Sequence, residues 1–130
     1  MLSHPVIVIM LSGAAGALCR YGLVRAITPV LQPGQFPVGT WIVNILGSFL
    51  FGFLFVWISQ RVSLQETLRL SLLVGFLGAF TTFSSFSFES LRLLQSGFLL
   101  TALVYILSSV ALCLLATWFG MRLAEFIFSL

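Results

Sequence analysis

The chemistry open to this chain is confined to a few uncharged polar groups set in long apolar runs. The densest run reads Gly75-Phe76-Leu77-Gly78-Ala79-Phe80-Thr81-Thr82-Phe83-Ser84-Ser85-Phe86-Ser87-Phe88-Glu89. Between Phe80 and Phe88, five hydroxyl residues are interspersed with four phenylalanines. Hydroxyls compete for backbone hydrogen bonds and can bend helices in lipid. Two glycines followed by the β-branched pair Thr81-Thr82 lower helix propensity further. The pattern predicts a helix broken near its middle; the alternative is a continuous helix whose hydroxyls bond back to its own carbonyls. Phe83 and Phe86 stand three apart and share one face. Ring edges are partially positive, so an anion passing them meets a favourable field; without the hydroxyls beside them, the two rings would be packing. Asn44 is the only asparagine. Its amide offers two donor hydrogens and one acceptor, suited either to an interhelical bond or to a donor lining a polar path. Tyr105, Ser109 and Cys113 recur every fourth residue and form a weakly polar helix stripe. Taken alone, that stripe is packing of the kind hydroxyl residues make in lipid.

These groups are neutral donors: amide, hydroxyl, phenol. The acids are Glu66 and Glu125 near helix ends and Glu89 toward the end of the third helix. A ring of acids would favour cations, whereas neutral donors and ring edges favour a small anion. No nucleophile–base pair, metal-ligand cluster or phosphate-cradling glycine loop is present, and His4 is the sole histidine. The reading is therefore not an enzyme. Cys19 and Cys113 lie far apart in apolar runs, as small apolar fillers without disulfide or zinc spacing.

The elements that must position these groups follow from composition. Of 130 residues, 60% are apolar and 7% charged, and mean hydropathy is +1.18. Soluble domains run at ~45–50% apolar and ~25% charged, and a fold this small buries only part of its surface. The solvent is largely lipid, which excludes a soluble globule and a disordered tail. The net charge of +3 comes from six scattered arginines, not the clustered cations of a nucleic-acid surface. Residues 1–19, 26–60, 70–88 and 93–121 carry no Asp, Glu, Lys or Arg. A hydrocarbon core of ~30 Å needs ~20 helical residues. Pro29, Pro33-Gly34 and Pro37 mark a turn inside the second run. The chain thus predicts an all-α membrane protein, one domain over 1–130, with four transmembrane helices at about 5–28, 38–60, 67–94 and 98–125. The runs are too long for barrel strands. A signal peptide ending at Ser12–Ala17 competes for the first run, but no basic region precedes it.

Orientation is nearly undetermined by charge. With the N-terminus inside, Arg61, Arg69 and Arg122 face inward, while Arg25 and Arg92 face outward, joined by Arg20 if it reaches the interface. The positive-inside rule needs an imbalance. Its near absence predicts insertion both ways round and antiparallel pairing about a two-fold axis in the membrane plane; the alternative is one weakly specified orientation. Arg20 either snorkels to the interface or lines a wet cavity. The small-residue stretch Gly13–Ala17 before it is a packing face.

At these residues the sequence resembles the Fluc (CrcB) fluoride channels of microbial membranes. The matching stretches are Gly16-Ala17-Leu18-Cys19-Arg20-Tyr21, Gly39-Thr40 through Val43-Asn44 to Gly47, and Gly75-Phe76-Leu77-Gly78 through Thr81-Thr82-Phe83-Ser84-Ser85-Phe86. Length and four-helix layout match as well. The resemblance implies an antiparallel, dual-topology homodimer in the bacterial inner membrane, with two fluoride pores along the subunit interface and a third helix broken at mid-membrane. It implies a structural Na⁺ at the centre, held by backbone carbonyls at Gly78 and Thr81. Asn44, Phe83 and Phe86 then flank fluoride, with Thr40, Thr82, Tyr105 and Ser109 on the pore and Arg20 and Glu89 in vestibule or structural roles. Cys113 departs from the family, where serine is common, which weakens it as a donor. Fluoride is small and strongly hydrated, so several charge-assisted hydrogen bonds must replace its water, and chloride is rejected by fit and incomplete solvation. The implied role is passive fluoride export. Two other readings remain on size alone: a small multidrug exporter, which uses an embedded Glu in its first helix where residues 1–19 here hold no acid, and a non-transporting assembly subunit.

Overall fold

The structure, a computed structural model, describes residues 4–60 and 65–128; Arg61, which entered the orientation count, lies outside the described residues. The regular secondary structure among those residues is entirely helical. Helix α1 is His4–Ile27 and α2 is Val38–Ser59. Helix α3, residues 65–80, opens as a turn at Gln65–Leu68, widens into π-helical Arg69–Leu77 and closes as Gly78–Phe80. Helices α4 (Phe83–Gln95) and α5 (Leu99–Phe128) follow. Four stretches are long and apolar enough to cross a bilayer: His4–Ile27, Val38–Ser59, Glu66–Gln95 and Leu99–Phe128. The third contains the α3–α4 junction. The chain is a multi-pass membrane protein. Helix α5 runs past residue 125 to Phe128; Arg122 pairs with Glu125 at 2.8 Å near that end, an exposed contact that adds modest support to a helix.

Two helix pairs carry the packing, α2 against α5 and α1 against α3. Small residues let both pairs approach backbone to backbone. Gly52 faces the Thr117 carbonyl and Gly120 the Phe49 carbonyl, while Gly16 lies against the Phe76 backbone. Val43, Ile58, Leu73, Leu77 and Phe80 form one buried cluster. Phe86, Leu93, Ala102 and Tyr105 form a second, between α4 and α5. Many large apolar side chains on the outer faces, such as Leu18, Leu107 and Leu114, stay exposed, as lipid-facing residues do.

The loops are short and locally determined. Pro29 follows the end of α1, where Thr28 N–H donates to the Val24 carbonyl and the Arg25 guanidinium reaches past the helix end to the Pro29 carbonyl. Gly34 takes φ +77° in the turn before α2. At the end of α4, Gly97 takes φ +82°. Its N–H reaches the Leu94 carbonyl (3.2 Å) and Phe98 N–H reaches Leu93 (2.9 Å). This is the paired-bond glycine cap of helix C-termini, and it turns the chain straight into α5.

Candidate functional site

The site forms where the chain leaves helical geometry between Phe80 and Phe83. Thr81 (φ −84°, ψ 154°) and Thr82 (φ −144°, ψ 115°) are extended. In an unbroken helix each N–H bonds the carbonyl four residues back. Here those donors are diverted. Thr82 N–H, which would close on Gly78, donates to Asn44 Oδ1 at 2.8 Å. Ser85 N–H, which would close on Thr81, donates to Thr82 Oγ1 at 3.1 Å, an N-cap for α4. The carbonyls of Gly78 and Thr81 are thereby released from helix bonding. Ala79 receives a different partner: Arg20 Nε–H, at 3.0 Å, a cation at a helix C-terminus where the backbone dipole favours one.

Asn44 clamps the junction from α2. Besides accepting from Thr82 N–H, its Nδ2 donates to the Thr82 carbonyl at 3.0 Å. An amide has two hydrogens, so one remains. Thr81 Oγ1 bonds back to the Leu77 carbonyl at 3.0 Å.

Beside this junction lies a cavity of about 230 Å³, lined by Asn44, Ser48, Thr81, Thr82, Phe83, Phe86, Ser109, Val110 and Cys113. No charged side chain lines it. Ser109 is buried, and its Oγ has no hydrogen-bond partner among the described residues. The Phe83 and Phe86 rings sit 5.4 Å apart, tilted by 48°. Phe86 is buried at 9% exposure, while Phe83 is 77% exposed on this chain, so the cavity's rim opens on the helix surface.

Of the sequence-predicted pore residues, the structure brings Asn44, Thr82, Phe83, Phe86 and Ser109 to this cavity. Thr40 and Tyr105 meet elsewhere, on Glu89. Thr40 Oγ1 donates to Glu89 Oε1 at 2.8 Å, and Tyr105 OH donates to Oε2 at 2.7 Å. Tyr105 is fully buried and its ring lies 5.4 Å from that of Phe86, tilted by 55°, so this cluster adjoins the cavity across one ring. Glu89 also borders two smaller spaces beneath the 28–37 loop, of about 40 and 50 Å³. Arg20 turns inward to α3, and Gly78 keeps helical angles with its N–H bonded to Leu73 and Gly75.

Ser48 belongs to the cavity and was not assigned from sequence. Its position four residues after Asn44 puts it on the same helix face, a signal that was available. Among the described residues no group of three His, Cys, Asp or Glu side chains could hold a metal. A cation at the junction would have to sit on main-chain carbonyls, and the two released ones are oxygen donors of the kind that hard cations take where helices unwind in membranes.

A family model described as CrcB-like protein, Camphor Resistance (CrcB), matches residues 7–121. A protein of Citrifermentans bemidjiense named fluoride-specific ion channel FluC is 44% identical over 94% of this chain and 98% of its own length. One of the same name from Magnetococcus marinus is 49% identical over 92% of this chain and 96% of its own length. A third, from Methylococcus capsulatus, is 50% identical over 90% of this chain, which spans about half (51%) of that relative's length.

Proposed function

The chain belongs to the CrcB-like family, and from that premise we propose that it is a fluoride-selective channel and not an enzyme. The observation that carries the reading is the uncharged cavity where Asn44, Ser109 and the Phe83–Phe86 pair converge, with the Ser109 hydroxyl buried and unpartnered. A buried donor without a partner costs free energy, and an anion passing the cavity would relieve it. Asn44 holds the junction with one amide hydrogen and offers the other. Ring edges of Phe83 and Phe86 supply a weakly positive wall. Such donors replace fluoride's hydration without a charged side chain in the cavity that would trap it, and conduction needs binding weak enough to release.

The working unit is a homodimer of antiparallel copies in the bacterial inner membrane, with the α3–α4 junction at mid-membrane. Two features support this: the near balance of arginines between the two sides, and a cavity rim at Phe83 that lies open on the single chain. A structural Na⁺ fits the carbonyls of Gly78 and Thr81, whose helical donors are diverted to side chains. Bound there, it would supply a fixed positive charge at the end of α3. The biological role is passive fluoride export.

Purified protein in liposomes, loaded with fluoride or with chloride, tests the function. The expected result is fluoride efflux without chloride efflux, abolished by Phe83→Ile. Equal efflux of both ions, or none of fluoride, would sink the reading; fluoride efflux that survives both Phe83→Ile and Asn44→Asp would sink the residue assignment alone.

A further inference from the structure

The three carbonyls around the junction are treated differently. Gly78 and Thr81 lose their helical donors to Asn44 and to Thr82 Oγ1. Ala79, lying between them, is held by a side chain from 59 residues away, Arg20. Nothing local accounts for that bond, since α1 could pack on α3 through Gly16 and Phe76 alone. We propose that Arg20 is a positioning residue for a cation: by occupying the Ala79 carbonyl, its Nε–H fixes the last turn of α3 so that the Gly78 and Thr81 oxygens stay free and directed together. This rests on the Na⁺ site proposed above.

Arg20 has two opposed effects on such a site. Its hydrogen bond orders the carbonyls. Its charge opposes a second cation and offsets the partial negative charge of the helix end. Two substitutions of matched length separate them. In Arg20→Gln, Nε2 stands as many bonds from Cα as the arginine Nε, so a donor is kept and the charge removed. Arg20→Met has the same reach and neither property. The measurement is thermal unfolding of the purified full-length protein against Na⁺ concentration, with N-methyl-D-glucamine keeping ionic strength constant.

The expected result is an Na⁺ midpoint about fivefold or more higher in Arg20→Met than in Arg20→Gln, the effect of one net hydrogen bond, with Arg20→Gln at or below wild type. Coinciding midpoints for the two variants would overturn the proposal. If Arg20→Met does not fold, Arg20→Gln decides alone: a midpoint at or below wild type upholds the proposal, and one several-fold above wild type overturns it, because the donor kept in glutamine would not have preserved the site. A wild-type protein that conducts fluoride yet shows no Na⁺-dependent shift also overturns it. Absence of fluoride flux with an intact Na⁺ shift would instead sink the channel reading and leave this inference standing.

Discussion

Two places where the chain abandons a helix within apolar surroundings solve the same problem in opposite ways. At the α4–α5 turn, Gly97 adopts φ +82° and the orphan carbonyls of Leu93 and Leu94 are met by the next two backbone N–H groups. That break is self-sufficient and sequence-local. At the α3–α4 junction no residue has positive φ, and the backbone groups of Thr82 and Ala79 are met by Asn44 of α2 and Arg20 of α1. A non-local break of this kind leaves flanking groups uncommitted. In the hydrocarbon region such non-helical backbone is tolerated only where it is buried in protein or lines a water-filled cavity. The first break turns the chain; the second leaves polar groups beside a cavity, where the proposed ion sites lie.

Removing the remote clamp tests that contrast most severely. Asn44→Ala deletes both bonds to Thr82 and strands a main-chain N–H and C=O, at ~1–3 kcal/mol for each unsatisfied group. The expected outcome is loss of fluoride efflux together with a clear fall in unfolding temperature in detergent. Wild-type stability in this variant would mean that the junction holds itself together as the Gly97 turn does, and the comparison would fail.

Ser109→Ala separates function from stability at the same site. The hydroxyl is buried without a partner among the described residues, so its loss removes no bond seen there and puts a hydrogen where an unsatisfied hydroxyl stood. Unfolding temperature is expected to stay level or rise slightly. Fluoride efflux is expected to fall about tenfold or more, since a hydrogen bond to a charged ligand contributes ~1.5–3 kcal/mol. A stability loss with unchanged efflux would show that Ser109 is packing, as its stripe with Tyr105 and Cys113 reads in isolation.

Much of this was legible before any coordinates. The charge-free runs marked four membrane-crossing stretches, because a bilayer leaves few alternatives to long apolar helices. The lone Asn44 and the hydroxyl-rich Thr81–Ser87 stretch pointed to the polar site, since such groups are costly in hydrocarbon. What stayed hidden was pairing over distance. Nothing in Arg20 names Ala79, and a main-chain carbonyl has no side-chain signature. The resemblance places Thr40 and Tyr105 on the pore; in the structure both hydroxyls bond Glu89, a meeting that only the packing of α2, α4 and α5 brings about. The π-helical widening over Arg69–Leu77 was equally hidden, because its residues keep the composition of an ordinary apolar helix.

The smallest effect is expected at the self-sufficient break. A Cβ at Gly97 meets nothing within 4 Å, so Gly97→Ala adds no clash and its cost is purely conformational. An L-residue forced to φ +82° costs ~1–2 kcal/mol. The bonds at Leu93 and Leu94 survive because they are made by backbone, and Glu89, on earlier turns of α4, keeps its bonds to Thr40 of α2 and Tyr105 of α5. Unfolding temperature is therefore expected to drop modestly while the ratio of fluoride to chloride efflux stays at its wild-type value. If Gly97→Ala instead abolishes efflux as Asn44→Ala does, then the α4–α5 turn transmits strain to the cavity through α4, and the two breaks form one coupled device rather than a structural turn beside a functional one.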